Sequence, residues 1–503
     1  MAKTGQFAIE LLKYLCYTYA KQVGCFGNTS RTKRLYFKED NMYQIFINGV
    51  LTKPEEITVS AYPFNRTWPG KQRDPAQSET AYMLRVFGEG ALEMEIETQF
   101  PISDAVLRPL SANIALETQP QKISFTVPQN GKYSIEINGV HHAIHLLYQK
   151  STDYSAFPAP TYHFKSGHYD VGLLTLKSGD TVCIEKDAVV HGSLFALDAK
   201  DITIYGDGVL CGDWEVRTEK HGDLGFDNEN VFDPAVIHTY GGIRMFRCEN
   251  ISLYGITVTD TASYAISFFA TDGISIDDVN VLGLWKYNCD GIDFFNSANI
   301  TVKNCFIRSF DDSMCMKGLT AFSDKSTVNA DISNCVFWCD WGKNVDIGLA
   351  TACPEVANIT WRDCDFIHNS GTCITISCGQ WADVHDIRYE NIRIEYAKTT
   401  QKAILQTSDD QKYKPDGKPV IPALVAISDT RRNWQGNIAS EDEHPKIRNI
   451  RIDGIYVFME DGLEGSPGIY IKKTIQNSVI EKIQMQNVFV NGKRWDVSQF
   501  CMD

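Results

Sequence analysis

The chain has 503 residues, of which 43% are hydrophobic and 22% are charged, the ordinary composition of a soluble globular protein. The length allows two domains, or an extended repeat fold that grows by stacking. A formal net charge of −15 disfavours nucleic acid and anionic membranes as partners, because proteins that hold phosphates usually carry a basic patch. No apolar stretch approaches the roughly 18 residues of a membrane span.

Residues 1–41 are predicted to be an N-terminal extension with a helix. The apolar stretch Phe7–Cys16 is interrupted by Glu10 and Lys13, and no small-residue cleavage site follows it. These features favour a short amphipathic helix over a signal peptide. We therefore expect cytoplasmic residence, with secretion as the alternative.

Residues 42–150 are predicted to form a small antiparallel β-sandwich. Short runs of alternating apolar and polar residues end at Asn-Gly pairs at 48–49 and 138–139, and similar runs occupy 91–98 and 122–127. Asn-Gly between such runs is the strongest short-range signal of a hairpin. We expect a structural role for this domain.

Residues 151–503 carry a degenerate repeat, in which a polar or small anchor residue is followed by alternating Ile or Val positions and a turn. The anchors are Asp201, Asn250, Gly273, Asn299, Asn329, Asn358, Asp386 and Asn449, with a weaker copy at Lys482. From Asn250 to Asp386, successive anchors lie 23, 26, 30, 29 and 28 residues apart. This spacing is too short for a propeller blade and contains no helical period. It predicts an all-β fold, a right-handed parallel β-helix whose coils stack on one another.

Three cysteines support the stacking. Cys305, Cys335 and Cys364 each lie six positions after an anchor. The equivalent residues in three other coils are Ile256, Val279 and Ile392. A metal site is one interpretation of stacked thiols, but buried free cysteine behaves as a small hydrophobe. We therefore predict an inward-facing packing row without disulfides, and the odd total of 15 cysteines agrees with this.

One interval breaks the repeat, since 63 residues separate Asp386 from Asn449. The intervening segment, Ala397–His444, is polar and rich in turn residues. A long excursion on a regular scaffold is more often a functional wall or lid than a defect. We expect it to border a cleft.

Three aspartates on neighbouring coils form the predicted catalytic site. Asp290 and Asp312 are 22 residues apart, close to one coil, and precede the matching alternations Gly-Ile-Asp-Phe and Ser-Met-Cys-Met. Adjacent coils lie roughly 4.8 Å apart, so Asp290, Asp311 and Asp312 should converge on one surface patch. Carboxylates that close repel one another, and at least one should have a raised pKa.

Glycoside hydrolysis needs such a combination of carboxyl groups. A protonated carboxyl gives its proton to the leaving oxygen, while an ionised one activates water, and a separation of about 6.5–9.5 Å gives inversion. From the spacing alone, an exposed acidic turn or a calcium site built from the same oxygens is an equal alternative.

The same stretch resembles the motifs of the family-28 glycoside hydrolases, the polygalacturonases and their relatives. Asn288-Cys-Asp290 is similar to the Asn-Thr-Asp motif of that family, and Phe310-Asp-Asp312 with Lys317 is similar to its Gly-Asp-Asp motif and the lysine after it. The resemblance covers roughly residues 160–490. It implies that Asp311 is the general acid and that Asp290 and Asp312 hold and activate the water. A β-sandwich before a β-helix also resembles the family-49 dextranases.

Two departures from the family pattern bear on the substrate. Where family 28 has Gly-His-Gly, this chain has Gly342-Lys343-Asn344, and where the polygalacturonases have Arg-Ile-Lys for a uronate carboxylate, it has Cys373-Ile-Thr375. We therefore expect an inverting glycosidase acting on an α-linked oligo- or polysaccharide, but not a strict polygalacturonase. Lys343 is expected to take over a contact to a sugar hydroxyl, with a solvated turn lysine as the alternative.

Further residues are predicted to contact the substrate. The set is Asn288, Asp293, Lys317, Trp341, Lys343 and His368. Lys317 would steady a carboxylate, with a surface ion pair as the alternative. Trp341 lies in a predicted turn and is preferred to Trp361 as a sugar platform, because aromatic faces stack on the apolar faces of sugars. His385 and Asp346 are further candidate contacts.

Two other classes of protein remain open. A pectate-lyase-like eliminase would use calcium and a basic residue, for which Lys317 and Lys343 are candidates, and a non-catalytic β-helix would only bind carbohydrate. The predicted partner is an oligo- or polysaccharide. No metal or redox cofactor is predicted. No nucleotide is predicted either, since no Gly-rich phosphate loop is present.

Overall fold

The computed structural model describes most of the chain from residue 42 onward. The described residues are 42–61, 64–66, 73, 75–216, 240–400, 404–406, 420–430, 444–463 and 465–502. The predicted N-terminal helix lies outside them, as do residues 401–403, 407–419 and 431–443 of the excursion. Across these ranges the helical segments are short 3-10 turns, at Pro75–Gln77, Leu110–Ala112, Tyr154–Ala156, Thr320–Phe322 and Ser498–Phe500. No helix in the described ranges has the length and apolarity needed to cross a membrane.

The first eleven strands precede the repeat. They are β1 (Tyr43–Ile47), β2 (Val50–Thr52), β3 (Glu55–Ser60), β4 (Phe64–Arg66), β5 (Ser78–Phe87), β6 (Leu92–Thr98), β7 (Ala105–Arg108), β8 (Glu117–Gln119), β9 (Lys122–Val127), β10 (Gly131–Ile137) and β11 (Ile144–Gln149). Ten of them form two five-stranded sheets, ordered β2-β1-β6-β9-β8 and β3-β5-β11-β10-β7. The pairing is antiparallel except between β5 and β11.

The sandwich forms where the hairpin signals predict it. Asn48 and Gly49 both have positive φ and join β1 to β2 as a two-residue turn. The side chains of Ile45, Ile96 and Ile123 are fully buried between the two sheets. Burial of alternate residues on each strand therefore builds this core.

The remaining strands form the β-helix. They are β12 (Tyr162–Phe164), β13 (Gly167–Leu176), β14 (Thr181–Ile184), β15 (Ala188–Leu197), β16 (Lys200–Gly206), β17 (Val209–Cys211), β18 (Ile243–Phe246), β19 (Glu249–Tyr254), β20 (Thr257–Thr259), β21 (Ile266–Phe269), β22 (Asp272–Asp277), β23 (Asn280–Leu282), β24 (Ile292–Phe295), β25 (Ala298–Lys303), β26 (Phe306–Ser309), β27 (Met314–Gly318), β28 (Thr327–Ser333), β29 (Val336–Cys339), β30 (Val345–Thr351), β31 (Glu355–Arg362), β32 (Asp365–Asn369), β33 (Ile374–Cys378), β34 (Asp383–Tyr396), β35 (Ile404–Gln406), β36 (Val425–Asp429), β37 (Lys446–Met459), β38 (Ile469–Lys472), β39 (Val479–Val490) and β40 (Lys493–Trp495).

These strands stack in a right-handed parallel β-helix. Apart from β35, which pairs with β4, they form one 28-stranded sheet in which strands of successive coils lie side by side. Face A comprises β18, β21, β24, β27, β30, β33, β36 and β38; face B comprises β19, β22, β25, β28, β31, β34, β37 and β39; face C comprises β20, β23, β26, β29 and β32.

The predicted anchors stack in one line, at the start of the face B strands and of β16, which pairs with β19. All nine have φ between 53° and 75°, a left-handed conformation that Gly, Asn and Asp adopt most readily. The residue after each anchor points inward. These buried residues pair coil to coil as Ile202, Ile251, Ile274, Ile300, Ala330, Ile359, Ile387, Ile450 and Ile483. The repeat is therefore confirmed as one coil per copy.

The cysteine row is also confirmed. Cys305, Cys335 and Cys364 are fully buried on consecutive coils. Each thiol lies 3.2 Å from the carbonyl oxygen two residues earlier in the chain. The cysteines of the described residues are all free.

We predict that Asn358→Val destabilises the protein by about 1–2 kcal/mol, because a β-branched residue is strained in the left-handed region. The substitution also removes the hydrogen bond that Asn358 donates to Asn329 at 3.3 Å. Urea unfolding measures the loss. The matched control, Thr360→Val on the same strand, should leave stability nearly unchanged, and equal stability of both variants would contradict a role for the anchor.

The β-sandwich packs on face C. Ile57, Val59 and Met83 of the sandwich form one buried cluster with Phe306 and Trp338 of face C. The cluster excludes water from the strands that lie immediately before the turns carrying Asp311 and Trp341. The sandwich therefore supports the back of these turns.

Candidate active site

The three predicted catalytic aspartates lie in the turns that lead from face C into face A. Asp290 precedes β24 and Asp312 precedes β27, and these strands pair with Ile292 beside Met314. One carboxylate oxygen from each of Asp290, Asp311 and Asp312 lies within 4.8 Å of the others. The structure therefore brings the three side chains together, as the coil spacing predicts.

Two lysines lie among these carboxylates. Lys317 Nζ lies 3.2 Å from Asp290 Oδ2, 3.2 Å from Asp293 Oδ1 and 3.8 Å from Asp312 Oδ2. Its side chain is only 12% exposed, so it is not a surface ion pair. Lys343 Nζ lies 3.7 Å from Asp312 Oδ1, and its backbone N–H donates to the same oxygen at 2.9 Å. Lys343 is therefore a part of the site and not a solvated turn residue.

The lysines and the burial of the site separate the pKa values of the aspartates. Burial, followed by the charge of Asp312, raises the pKa of Asp311 to about 7. Burial alone would also raise the pKa of Asp312, but Lys343 and Lys317 outweigh it and hold that pKa below its usual value. Burial and the neighbouring carboxylates raise the pKa of Asp290 well above its usual value. Two adjacent carboxyl groups, Asp311 and Asp312, thus have pKa values shifted in opposite directions.

A row of four polar residues, two of them aspartates, lies on the outer surface of face A. Asp293, Cys315, Asp346 and Thr375 are directly opposite one another on successive strands. Burial raises the pKa of Asp293 to about 6 against the opposing charge of Lys317. It also raises the pKa of Asp346 to about 6 against Lys343. These are buried carboxyl groups and not solvated strand residues.

Arg244 extends this row and is missed by the sequence analysis. Register places it beside Ser267, which lies beside Asp293. Its side chain is 2% exposed, and its Nε and Nη2 atoms have no hydrogen-bond partner among the described residues. Gly242-Ile-Arg244 repeats the pattern of Gly291-Ile-Asp293. Aligning the two coils in the sequence would therefore have placed Arg244 in the same row as Asp293.

Trp341 and Asn288 lie in the turns beside the aspartates. Trp341 is partly buried, and its ring stacks on Phe310 at 5.3 Å with an interplanar angle of 16°. Asn288 is 5% exposed, and its carbonyl accepts a hydrogen bond from Ser263 at 3.4 Å. Asn288 therefore contributes to the shape of the turn, while Trp341 keeps part of its surface available.

Three other candidates lie away from the aspartates. His368 is buried on face C, where its Nε2 atom lies 2.5 Å from Glu136 Oε1 of the sandwich, so the structure places it at the inter-domain contact instead of the site. Trp361 is fully buried and stacks on Tyr389 in the core. His385 pairs with Glu355 at 3.0 Å on face B.

The chain resembles known proteins over this part of its length. It matches the family model "Glycosyl hydrolases family 28" over residues 190–448, just over half of the chain. Probable endopolygalacturonase D of Neosartorya fischeri is 26% identical over 254 residues, 49% of this chain and 50% of that protein. A polygalacturonase of Cochliobolus carbonum is 24% identical over 199 residues, 37% of this chain and 50% of that protein. The chain thus spans about half the length of these curated relatives.

Two solved structures also match this chain. The exopolygalacturonase from Thermotoga maritima has a TM-score of 0.46 and 14% identity, over 66% of this chain and 84% of that one. Dex49A from Penicillium minioluteum has a TM-score of 0.47 and 12% identity, over 91% of this chain and 89% of that one. The residues matched by the family model include Asp290, Asp311, Asp312, Lys317 and Lys343. The chain belongs to glycoside hydrolase family 28.

Proposed function

We propose that the protein is a glycosidase that hydrolyses an α-linked oligo- or polysaccharide by a single displacement with inversion. The observation that carries this proposal is the cluster of Asp290, Asp311 and Asp312, whose carboxylate oxygens lie within 4.8 Å of one another beside Lys317. Asp311, half-buried, has its pKa raised to about 7 by burial and by Asp312, while that of Asp312 is lowered by the two lysines despite its burial. Two titratable groups with opposed environments define an acid and a base.

In this mechanism, Asp311 donates its proton to the glycosidic oxygen as the bond to the anomeric carbon breaks. Asp312 accepts a proton from the water whose oxygen attacks that carbon from the opposite side, and Asp290 helps to hold that water. The Oδ1 atom of Asp290 is buried without a hydrogen-bond partner in the described residues, so it is available to hydrogen-bond that water. Lys317 contacts Asp290 and Asp312 and fixes their orientation.

The stereochemistry needs its own measurement, because the carboxylates lie closer together than the separation expected for an inverting pair. Their oxygens approach within 4.8 Å, whereas most inverting pairs are about 6.5–9.5 Å apart and retaining pairs about 5–5.5 Å. We still expect inversion, because Asp290 and Asp312 share Lys317 and are better placed to hold water together than to attack carbon singly. Proton NMR of the first product should show the β-anomer from an α-linked substrate. An initial α-anomer would overturn the single displacement.

The substrate is proposed not to be a simple galacturonan. Five buried or half-buried aspartates surround the two lysines of the site, so the local charge is unfavourable to uronate carboxylates. Thr375 lies on face A beside Asp346, where a hydroxyl group replaces the basic residue expected from the polygalacturonase motif. Neutral sugar hydroxyls are better suited to this lining.

The test is the release of reducing sugar from a panel of neutral and uronate-containing α-glycans, with and without a chelator. Release from a neutral glycan that is indifferent to chelator supports the proposal. Release only from uronates would overturn the proposed substrate, and Arg244→Met would then show whether the buried guanidinium binds the carboxylate. A calcium-dependent product with unsaturated-sugar absorbance would place the protein among the lyases.

The pH profile provides a separate prediction. Activity should fall as pH rises through about 7, because Asp311 must be protonated and its pKa is raised to about 7 by burial and by Asp312. On the acidic side, the lowered pKa of Asp312 should preserve activity below the ordinary aspartate range of about 4.

The variant Lys343→Met tests whether these pKa shifts set the acidic and basic limbs of the pH profile. Lys343 lowers the pKa of both Asp311 and Asp312, so its removal should move both limbs of the kcat/KM profile to higher pH. The control, Lys303→Met, removes a lysine that is 48% exposed and should leave the profile in place. An unmoved profile in Lys343→Met would contradict the assignment.

A further inference from the structure

A group of metal-ligating side chains lies on the first coils of the β-helix, outside the active site. Strands β15 and β17 pair in parallel, with His191 directly beside Cys211. Asp213 follows Cys211 by two residues. His191 and Cys211 are partly exposed and Asp213 is exposed, so the group opens to solvent.

The donor atoms of this group are close together. A ring nitrogen of His191, the sulfur of Cys211 and a carboxylate oxygen of Asp213 all lie within 4.8 Å of one another. His191 Nδ1 lies 2.8 Å from Asp213 Oδ1. Zinc with ligand bonds of about 2.0–2.3 Å needs ligand atoms about 3.3–3.8 Å apart in a tetrahedron. The donor atoms here, from 2.8 Å to at most 4.8 Å apart, span that range.

The second nitrogen of the His191 ring is already held. His168 Nδ1 lies 3.0 Å from His191 Nε2, and the two rings stack at 5.4 Å with an interplanar angle of 19°. Histidines that bind metals usually donate their other ring N–H to a neighbouring group, which fixes the orientation of the ring. His168 therefore occupies the position of such a supporting residue.

The donor set selects the class of ion. Calcium and magnesium prefer oxygen ligands only, whereas one nitrogen, one sulfur and one oxygen suit zinc and similar divalent transition metals. Three protein ligands leave a fourth position for water. The site would join two adjacent coils near the start of the β-helix.

We propose that His191, Cys211 and Asp213 bind a zinc ion, with His168 orienting the His191 ring. The ion stabilises the first coils of the β-helix, because a ligand that binds only the folded chain favours folding by mass action. None of these residues takes part in the proposed hydrolysis. The zinc site and the glycosidase activity can therefore be tested separately.

The experiment uses the full chain after treatment with a chelator. Titration with zinc by calorimetry should give one equivalent bound at this site and a higher Tm. Cobalt in place of zinc should give a thiolate-to-metal charge-transfer absorption band. Cys211→Ser should abolish that band and weaken zinc binding by at least about tenfold, while His168→Ala should weaken binding by about 10–100-fold with the band retained.

Controls separate this site from other cysteines and carboxylates. Cys501→Ser removes an exposed free cysteine elsewhere and should change nothing. Asp311→Asn should also retain the cobalt band, since the active-site carboxylates can themselves attract a cation. Asp213→Asn, an exposed change that does not endanger folding, should weaken zinc binding. Unchanged zinc affinity in Cys211→Ser, or a cobalt spectrum without a thiolate band, would overturn the proposal.

Discussion

The variant Asp311→Asn is expected to lower kcat by about 10²–10⁴-fold, the range typical of a general acid–base group. Asparagine has nearly the same shape and can still accept the 3.0 Å hydrogen bond from the backbone N–H of Asp312. It cannot donate the proton that Asp311 gives to the leaving oxygen in the proposed mechanism. The loss should therefore fall on kcat, with circular dichroism and Tm close to those of the wild type.

The control for this variant is Asp331→Asn, on the outer surface of face B. Asp331 is 50% exposed and pairs with Arg362, so its loss should leave kcat unchanged. Substrates with a leaving group that needs no protonation offer a second comparison, because Asp311→Asn should recover much of its activity on them. Near-normal activity of Asp311→Asn on an ordinary glycan would contradict its role as proton donor.

The β-helix could be predicted from sequence because each coil repeats a local rule. An anchor such as Asn329 needs a left-handed conformation, and Ala330 after it points inward against Ile300 and Ile359. Both requirements are visible within a few residues of chain. The same regularity placed Asp290 and Asp312 in equivalent positions.

The environment of the aspartates could not be predicted in the same way. The pKa of Asp312 is lowered by Lys343 and Lys317 against the effect of burial, and these lysines come from two different coils. Side-chain reach, not spacing, decides which carboxylate each lysine contacts. The sequence motif thus predicts which carboxyl groups come together, but the direction of each pKa shift depends on three-dimensional contacts.

For a related reason, the sequence does not indicate that His368 contacts the sandwich. Its strand, β32, pairs with β29 through a register shift between Phe337 and Trp338, and the sandwich covers the ring through Glu136. Docking of the sandwich joins residues more than 200 positions apart in the chain. No periodic pattern within the β-helix records such a contact.

The docking interface is the source of the second large effect. The variant Arg108→Met should destabilise the protein by about 3–5 kcal/mol, the usual cost of removing one partner from a buried ion pair. The Arg108 guanidinium is 1% exposed and lies 2.8 Å from Glu136, 2.5 Å from Glu395 and 2.8 Å from Glu460. It therefore joins the sandwich to the β-helix, and methionine preserves its bulk without its charge.

Urea unfolding at pH 7 measures this loss. The control is Arg451→Met, which breaks an ion pair with Asp453 whose arginine is 50% exposed. Surface pairs contribute about 0–1 kcal/mol, so this variant should remain close to the wild type. Comparable losses in both variants would mean that burial does not determine the strength of the Arg108 contacts.

The pH dependence of the Arg108→Met loss distinguishes charge from packing. Burial opposes ionisation of Glu136, but Arg108 and His368 lower its pKa to about 2. Its contribution to wild-type stability is present above its unfolded pKa of about 4.3 and is lost as pH falls toward 2. In Arg108→Met the pKa of buried Glu136 should rise above its unfolded value. Acidification then protonates Glu136 and removes the cost of an unpaired buried charge in the variant. The gap between wild type and Arg108→Met should therefore narrow from pH 7 to pH 4, whereas a constant gap would assign the loss to packing alone.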